Sequence, residues 1–218
     1  RVMDSDIYRE GISELSYNDF LYAEDLGYRI KLLSIATKNN SRLQMRVHPA
    51  LVPAKTMIAN VNGVLNAVEI QADLAGRILF HGQGAGSLTT TSAVISDIVA
   101  IARSSSDGNH GVKFKPTSDV NIDDIHSLNT KYYLRLIVND MPGVLAQITR
   151  ILGKLKISIA SIIQKAVYQT NHSAEIVIMT HESNEQSMQK ALRLISDLET
   201  VHRIGSMIRV EDLSTNNS

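Results

Sequence analysis

The 218-residue chain has no cysteine and no tryptophan. Without Cys it can build no disulfide framework, no thiolate metal site and no cysteine nucleophile, and a reducing compartment, the cytoplasm, is expected. Aromatic residues amount to 5%, and 22 basic residues balance 22 acidic ones. That leaves neither a base-stacking surface nor a basic field for nucleic acid. No apolar run approaches the roughly 20 residues that span a bilayer, so no membrane partner is expected. The seven His residues are scattered, with no pair four apart on a predicted helix, which argues against zinc. There is no Gly-x-Ser-x-Gly elbow of a serine hydrolase. The opening RVMDSDIYREGIS lacks both an apolar signal segment and an initiator Met, and reads as a piece cut from a longer chain.

What is present divides around a polar stretch rich in Ser, Gly, Asp and Asn. Residues 104–129 have no sustained apolar period and read as a linker. It separates residues 1–103 from residues 130–212, and residues 213–218 should fray. In the first part Ser16 caps a short helix that Gly27 ends. Tyr28–Thr37 and Arg42–His48 read as a hairpin turning at Lys38–Ser41. Val64–Gln71 and Arg77–His81 are further strands. Ser87–Arg103 is a helix with Val94, Ile98, Ile101 and Ala102 on one apolar face. Strands joined by tight turns and flanked by helices indicate an α+β fold.

The second part has a clearer order. Tyr132–Val138 is a strand. A helix opened by Pro142 carries an apolar stripe at Val144, Leu145, Ile148, Ile151, Leu152 and Leu155. Ile157–Tyr168 and Ala174–Thr180 are strands turning at Gln169–Ser173. Ser183 with Gln186 forms the capping box of a second helix, which buries Met188, Ala191, Leu192, Ile195 and Leu198. Arg203–Val210 is the last strand. The order βαββαβ is that of the ferredoxin-like split βαβ arrangement.

Two segments carry candidate chemistry. Asn139-Asp140-Met141-Pro142-Gly143-Val144-Leu145 joins a strand to a helix. Pro142 and Gly143 bend the chain and leave N–H groups at a helix start, where a carboxylate can be held. Asp140 can either cap the helix or accept from an amino group. Gly82-Gln83-Gly84-Ala85-Gly86 follows a strand and opens a helix. Its third Gly is misplaced for a G-x-G-x-x-G fingerprint, and no second strand follows with the acidic residue that such a site needs. These glycines either allow close packing of strand on helix or let the backbone approach a phosphate.

The D-x-P-G-V-L pattern at Asp140–Leu145, with the helix and the strand IASIIQ after it, resembles an ACT domain over about 80 residues. The resemblance implies an amino-acid effector held by Asn139, Asp140, Gly143, Val144 and Leu145 at a contact between two copies. Where that family often has Gly-Ile-Asn-Ile, this chain has Lys156-Ile157-Ser158-Ile159. Four further motifs in order resemble the end of the homoserine dehydrogenase catalytic domain: Arg46–Pro53, Asn66–Val68, Gly82–Gly86, and Thr91–Val94 with Asp97. So do Arg9–Ile12 and Gly27–Leu33. The family's usual Pro-Thr after the glycines is replaced here by Leu88-Thr89.

This second resemblance implies the C-terminal part of a mixed-sheet catalytic domain followed by the ACT domain. It implies NAD(P) contacts at Gly84, Ala85 and Gly86, and interconversion of L-homoserine and L-aspartate 4-semialdehyde by the intact enzyme. The partners implied are the small-molecule substrate, an amino-acid effector such as L-threonine, and further copies of the chain in a homo-oligomer through sheet and ACT contacts. The family's Rossmann domain, substrate-holding Glu and acid/base Lys have no counterpart in these residues. No catalytic residue is therefore assigned, and the 218 residues alone are expected to be inactive and to hold no cofactor tightly. Lys31 matches a non-catalytic family position, and His48 reads as a turn or packing residue. The alternative is a non-enzymatic amino-acid-binding module in which residues 1–103 serve as a dimerisation platform.

Overall fold

The computed structural model describes residues 2–106, 120–168 and 172–212. They fall into two compact units, one joining the residues up to Ala54 to those from Val120 on, the other covering Lys55–Asp119. The boundary thus differs from the one composition suggests, because the early strands share a sheet with the late ones.

The larger unit opens with the strand β1 (Tyr8–Arg9) and the helix α1 (Tyr17–Asp25). Ser16 precedes α1, and its N–H and hydroxyl both donate to the Asp19 carboxylate, at 2.8 and 3.0 Å. Gly27, at φ +81°, turns the chain out of the helix. β2 (Tyr28–Asn39) and β3 (Arg42–Pro53) then form the expected hairpin, with Asn40 at φ +54° in its turn. β3 runs on beyond His48, through Pro49. Its second edge meets β6 (Asn121–Asp123), β1 and the end of β11 (Val201–Val210) in succession. His48 and Pro49 fall in the gap between β1 and β11, a place in a sheet that tolerates a residue without an N–H. His48 is therefore a buried strand residue and not a turn residue.

The stretch read as linker is ordered at its end. β6 pairs with β3, and a single 3-10 turn at Ile125–Ser127 buries Ile125 and is capped by the Asp124 side chain. Three-residue elements are too short to leave a hydrophobic period in the sequence. Residues 107–119 lie outside the described residues, as do 169–171 of the expected Gln169–Ser173 turn and the tail 213–218.

The remaining elements are β7 (Asn129–Asn139), α3 (Val144–Lys154), β8 (Ile159–Tyr168), β9 (Ser173–Thr180), β10 (Ser183–Asn184) and α4 (Glu185–Ser196). With β11 they realise the βαββαβ order, in an antiparallel sheet arranged β11-β7-β9-β8. Two helix starts differ from expectation. α3 begins at Val144 behind Gly143 at φ +90°, so Pro142 lies in the turn before the helix and not at its first position. α4 is capped by Asn184, which accepts from the Gln186 N–H at 3.1 Å, while Ser183 pairs with Thr130 in the sheet. At the end of α3 the N–H of Ile157 bonds to the Leu152 carbonyl, and Lys156 takes φ +59°. Lys156 thus holds the left-handed position for which Gly is favoured.

Side chains alternate across β7. Tyr132, Leu134, Leu136 and Val138 pack under α3 and α4 with Val144, Ile148, Leu152, Met188, Ala191 and Ile195. On the other face Tyr133 joins Val177, Met179, Ile208 and Val210 against Ala23 of α1 and Leu51 of β3. Because both faces are covered, every residue of β9 is buried, as expected for a strand inside a three-layer arrangement.

Three buried ion clusters stitch the early segment to this sheet. Arg135 donates from Nε and Nη2 to Asp19 at 2.7 and 2.9 Å and from Nη1 to Glu175 at 2.8 Å. Arg209 grips Glu185 through Nε and Nη2, at 2.9 and 2.6 Å, and reaches Glu10 through Nη1 at 2.6 Å. Arg46 holds Glu211 through Nη2 at 2.9 Å, with His48 Nε2 3.6 Å from the same carboxylate. Burial by itself would raise the pKa of Asp19, Glu185 and Glu211. Their hydrogen bonds and cationic partners outweigh that, and each carboxyl lies below its ordinary value.

In the smaller unit β4 (Leu65–Ala72) pairs with β5 (Gly76–Gln83), and α2 (Ser87–Ser106) follows. Among its described residues Ala59 is the one buried hydrophobic. Val94, Ile98 and Ile101, which share a face of α2, remain exposed. The helical period states which residues share a face and does not state what covers it. No helix among the described residues is long and apolar enough to cross a membrane.

The depressed carboxyls set a direction for acid stability. Groups whose folded pKa lies below the unfolded value, about 4 for Asp and Glu, stabilise the fold above that value and stop doing so as pH falls through the folded one. The melting temperature should therefore be steady from pH 7 to about 5 and fall steeply below about pH 4. Asp19→Asn should lower it at pH 7 and flatten the acid slope. Calorimetry in which the slopes of unmodified protein and variant coincide would count against this assignment.

Candidate functional site

The Asn139–Leu145 loop is built from the end of β7 and the start of α3. Its first N–H groups are consumed by the fold: Asn139 donates to the Thr200 carbonyl at 2.9 Å, Asp140 to His172 at 2.8 Å and Met141 to Asn139 at 3.0 Å. Pro142 has none. Among the described residues no acceptor meets the N–H groups of Gly143, Val144 and Leu145. They open the 11-residue helix α3, where the aligned peptide dipoles favour negative charge.

Asp140 does not cap this helix. Gly143 holds the cap position, no side-chain cap bond is made, and the Asp140 side chain is exposed. Of the two roles the sequence left open for Asp140, the free acceptor is the one compatible with this geometry. Val144 differs from the other loop residues because its side chain lies in the core at 3% exposure. It can offer a ligand only its N–H. Leu145 is 39% exposed and supplies an apolar contact, and Asn139 is half-buried. The loop thus brings together an exposed carboxylate, a group of open donors and a partly exposed apolar side chain.

Gly84, Ala85 and Gly86 lie between β5 and α2, all exposed. The two glycines do different things. A Cβ on Gly84 would run into the side-chain amide of Asn66, and its N–H is committed to the Val64 carbonyl at 2.8 Å. Gly84 therefore admits the Asn66 side chain of the neighbouring strand β4, which is not the strand-on-helix packing expected of these glycines. Gly86 takes φ +133°, and its carbonyl accepts from the Thr90 N–H and the Thr89 hydroxyl, both at 3.0 Å. Beyond it the N–H groups of Ser87, Leu88 and Thr89 meet no acceptor among the described residues. This exposed start of a 20-residue helix offers open donors at the positive end of the aligned peptide dipoles, where an anion can be held. Lys31 sits on β2 opposite Ala50, with its pKa lowered by partial burial and by the charge of Arg29.

Sequence reasoning passed over the buried charged residues Asp19, Arg135, Glu175, Glu185 and Arg209. The available signal was Arg135, a lone charge within the apolar strand sequence YYLRLIV. A cavity of 540 Å³ is lined by His126, Leu155, Lys190 and Arg193, with Gln186, Ser187 and Gln189, and none of the Asn139–Leu145 residues lines it. Its cationic side chains are exposed, and no buried polar group points into it.

The homoserine dehydrogenase family model matches residues 1–99, and the ACT domain model matches residues 132–200. A homoserine dehydrogenase of Neisseria gonorrhoeae is 43% identical over 212 residues, which make up 94% of this chain and 48% of that protein. The crystal structure of a homoserine dehydrogenase from Thiobacillus denitrificans is 41% identical with a TM-score of 0.84, over 96% of this chain and 48% of that one. The Staphylococcus aureus homoserine dehydrogenase structure is 26% identical with a TM-score of 0.62, over 97% and 49%. The chain spans about half the length of the relatives it matches. Over nearly its whole length the chain is thus similar to the C-terminal half of homoserine dehydrogenases, with an ACT domain match in its second part.

Proposed function

We propose that this chain is the regulatory and cofactor-lining half of an enzyme that interconverts L-homoserine and L-aspartate 4-semialdehyde with NAD(P). The process served is the synthesis of threonine and methionine, and the compartment is the cytoplasm. The Asn139–Leu145 loop is the effector site. One observation carries this reading: within one seven-residue loop the Asp140 side chain is exposed and the N–H groups of Gly143, Val144 and Leu145 meet no acceptor among the described residues. An α-amino acid is a zwitterion, so its ammonium suits the carboxylate and its carboxylate suits the helix start. Two such charge-assisted contacts are worth about 1.5–3 kcal/mol each. After the entropy of association is subtracted, affinity falls in the micromolar to millimolar range. The loop lies at the surface, so a second copy of the ACT unit can close over the ligand and complete a homo-oligomeric contact.

NAD(P), when bound, supplies the hydride chemistry of the intact enzyme. From this chain Gly86 and the N–H groups of Ser87–Thr89 would hold its phosphates, and Ala85 would lie alongside. Gly84 supports the turn through its fit against Asn66. No residue described here is assigned to the proton transfer, and the 218-residue chain should show no dehydrogenase activity with homoserine and either nicotinamide cofactor. Turnover above background would move the active site into these residues.

Titration of the chain with L-threonine, then with other aspartate-derived amino acids, should give saturable heat for at least one of them. Asp140→Ala should weaken that binding about tenfold, as expected for the loss of one charge-assisted contact, with an unchanged melting temperature. Binding that is unaffected by the substitution would remove Asp140 from the site.

The two glycines can be separated in the intact enzyme. Gly86→Ala should raise the Michaelis constant for the cofactor by about tenfold, equivalent to roughly 1.4 kcal/mol of lost binding. Gly84→Ala should act first on stability, because the new methyl collides with Asn66. The opposite pattern would assign the cofactor contact to Gly84.

A further inference from the structure

The rear face of the ACT-type sheet is occupied by this chain's own helix α1, and the contact is ionic at its centre. Arg135 spends all three guanidinium nitrogens there, two on Asp19 and one on Glu175. Asp19 also accepts from the Tyr133 hydroxyl at 3.1 Å, the Ser206 hydroxyl at 2.5 Å and the Ser16 N–H at 2.8 Å. Glu175 accepts from Tyr22 at 2.7 Å and Asn18 at 3.1 Å, both on α1. β11 makes room for the guanidinium with a bulge. Its register slips between Ile204 and Ser206, and a Cβ on the intervening Gly205 would stand 2.7 Å from Arg135 Cζ.

Both strands that supply this cluster run directly into the loop. Arg135 precedes Asn139 by four residues on β7, about 13 Å along a strand. Glu175 is three residues beyond His172, whose carbonyl receives the Asp140 N–H, and Asn139 is paired with Ser173. A displacement of the loop therefore reaches the cluster along two paired strands. There it either carries α1 along or leaves a buried charge without its partner, and the second outcome is strongly disfavoured.

We infer that Asp19, Arg135 and Glu175 are positioning residues that make α1 the receiver of effector binding, so that ligation of the loop tightens or shifts residues 17–25 on the opposite face of the sheet. The inference rests on the reading of Asn139–Leu145 as the effector loop. It requires that α1 and the loop bias one shared arrangement, which is what coupling between sites means physically.

Amide hydrogen exchange on the 218-residue chain, with and without about 10 mM L-threonine, a concentration that populates even a millimolar site, tests this directly. In the unmodified protein exchange should slow at residues 144–148 and also at residues 17–25, by about fivefold or more. In Asp19→Asn, and in the milder Tyr22→Phe that keeps the ion pair, the slowing at 144–148 should remain. At 17–25 it should fall below about twofold. Tyr22→Phe keeps the test valid if Asp19→Asn fails to fold. Protection at the loop with none at α1 in unmodified protein, or equal protection of α1 in both variants, would overturn the coupling. If exchange at 144–148 in unmodified protein is unchanged with L-threonine and with each of the other aspartate-derived amino acids, the sensing reading itself fails and the coupling fails with it, an outcome distinct from loss at α1 alone.

Discussion

Arg135 is surrounded by the sheet yet carries a full charge, and much of the larger unit is arranged to make that tolerable. A buried guanidinium is strongly destabilising unless each nitrogen finds an acceptor in good geometry. Here two carboxylates provide them, one from α1 and one from β9. The same requirement repeats at Arg209, whose partners Glu185 and Glu10 come from α4 and from the residue that follows β1, with the Tyr8 ring 4.9 Å from the guanidinium. It repeats at Arg46 with Glu211. Each cluster joins the first fifty residues to the ACT-type sheet, so the sheet cannot shed that early segment without exposing or orphaning charge. Such pairs add little net stability over a well-packed apolar contact, but they are selective about what is placed opposite them.

That selectivity has a consequence for the loop. With α3 and α4 on one face of the sheet and α1 on the other, β7 and β9 are covered on both sides, so a change at their loop end bears on both layers. The chain meets solvent where β7 gives way to α3, and there Pro142 and Gly143 leave donors without acceptors. The sheet thus ends, among the described residues, in N–H groups that meet no acceptor, at a helix start where negative charge is favoured.

The smaller unit has the opposite character. Its hairpin and long helix expose apolar residues on both elements, among them Val68, Phe80, Val94 and Ile98. Its polar feature, the turn at Gly84–Gly86, combines a glycine required by the Asn66 side chain with one that leads into an open helix start.

Much of this was determined by the sequence alone. The 3.6-residue period of Val144, Ile148 and Leu152, and of Met188, Ala191 and Ile195, specifies two helices with one buried face each. The Pro-Gly pair specifies the turn, and the motif order specifies the family, because these signals are local. What the tertiary structure decided is non-local. Asp19 and Arg135 lie 116 positions apart, and no periodicity links them. The strand Asn121–Asp123 exists because β3 offers an edge, although its own residues carry no pattern. Gly84 and Gly86 look alike in the sequence, yet the Asn66 side chain separates their roles. Asp140 could have capped the helix by its residue type, and only the folded chain puts Gly143 at the cap position, with no side-chain cap bond. Local propensity fixes which segments are helix or strand and which of their faces are apolar. The pairing of charges across the fold depends on which elements meet, and that is settled only when the whole chain packs.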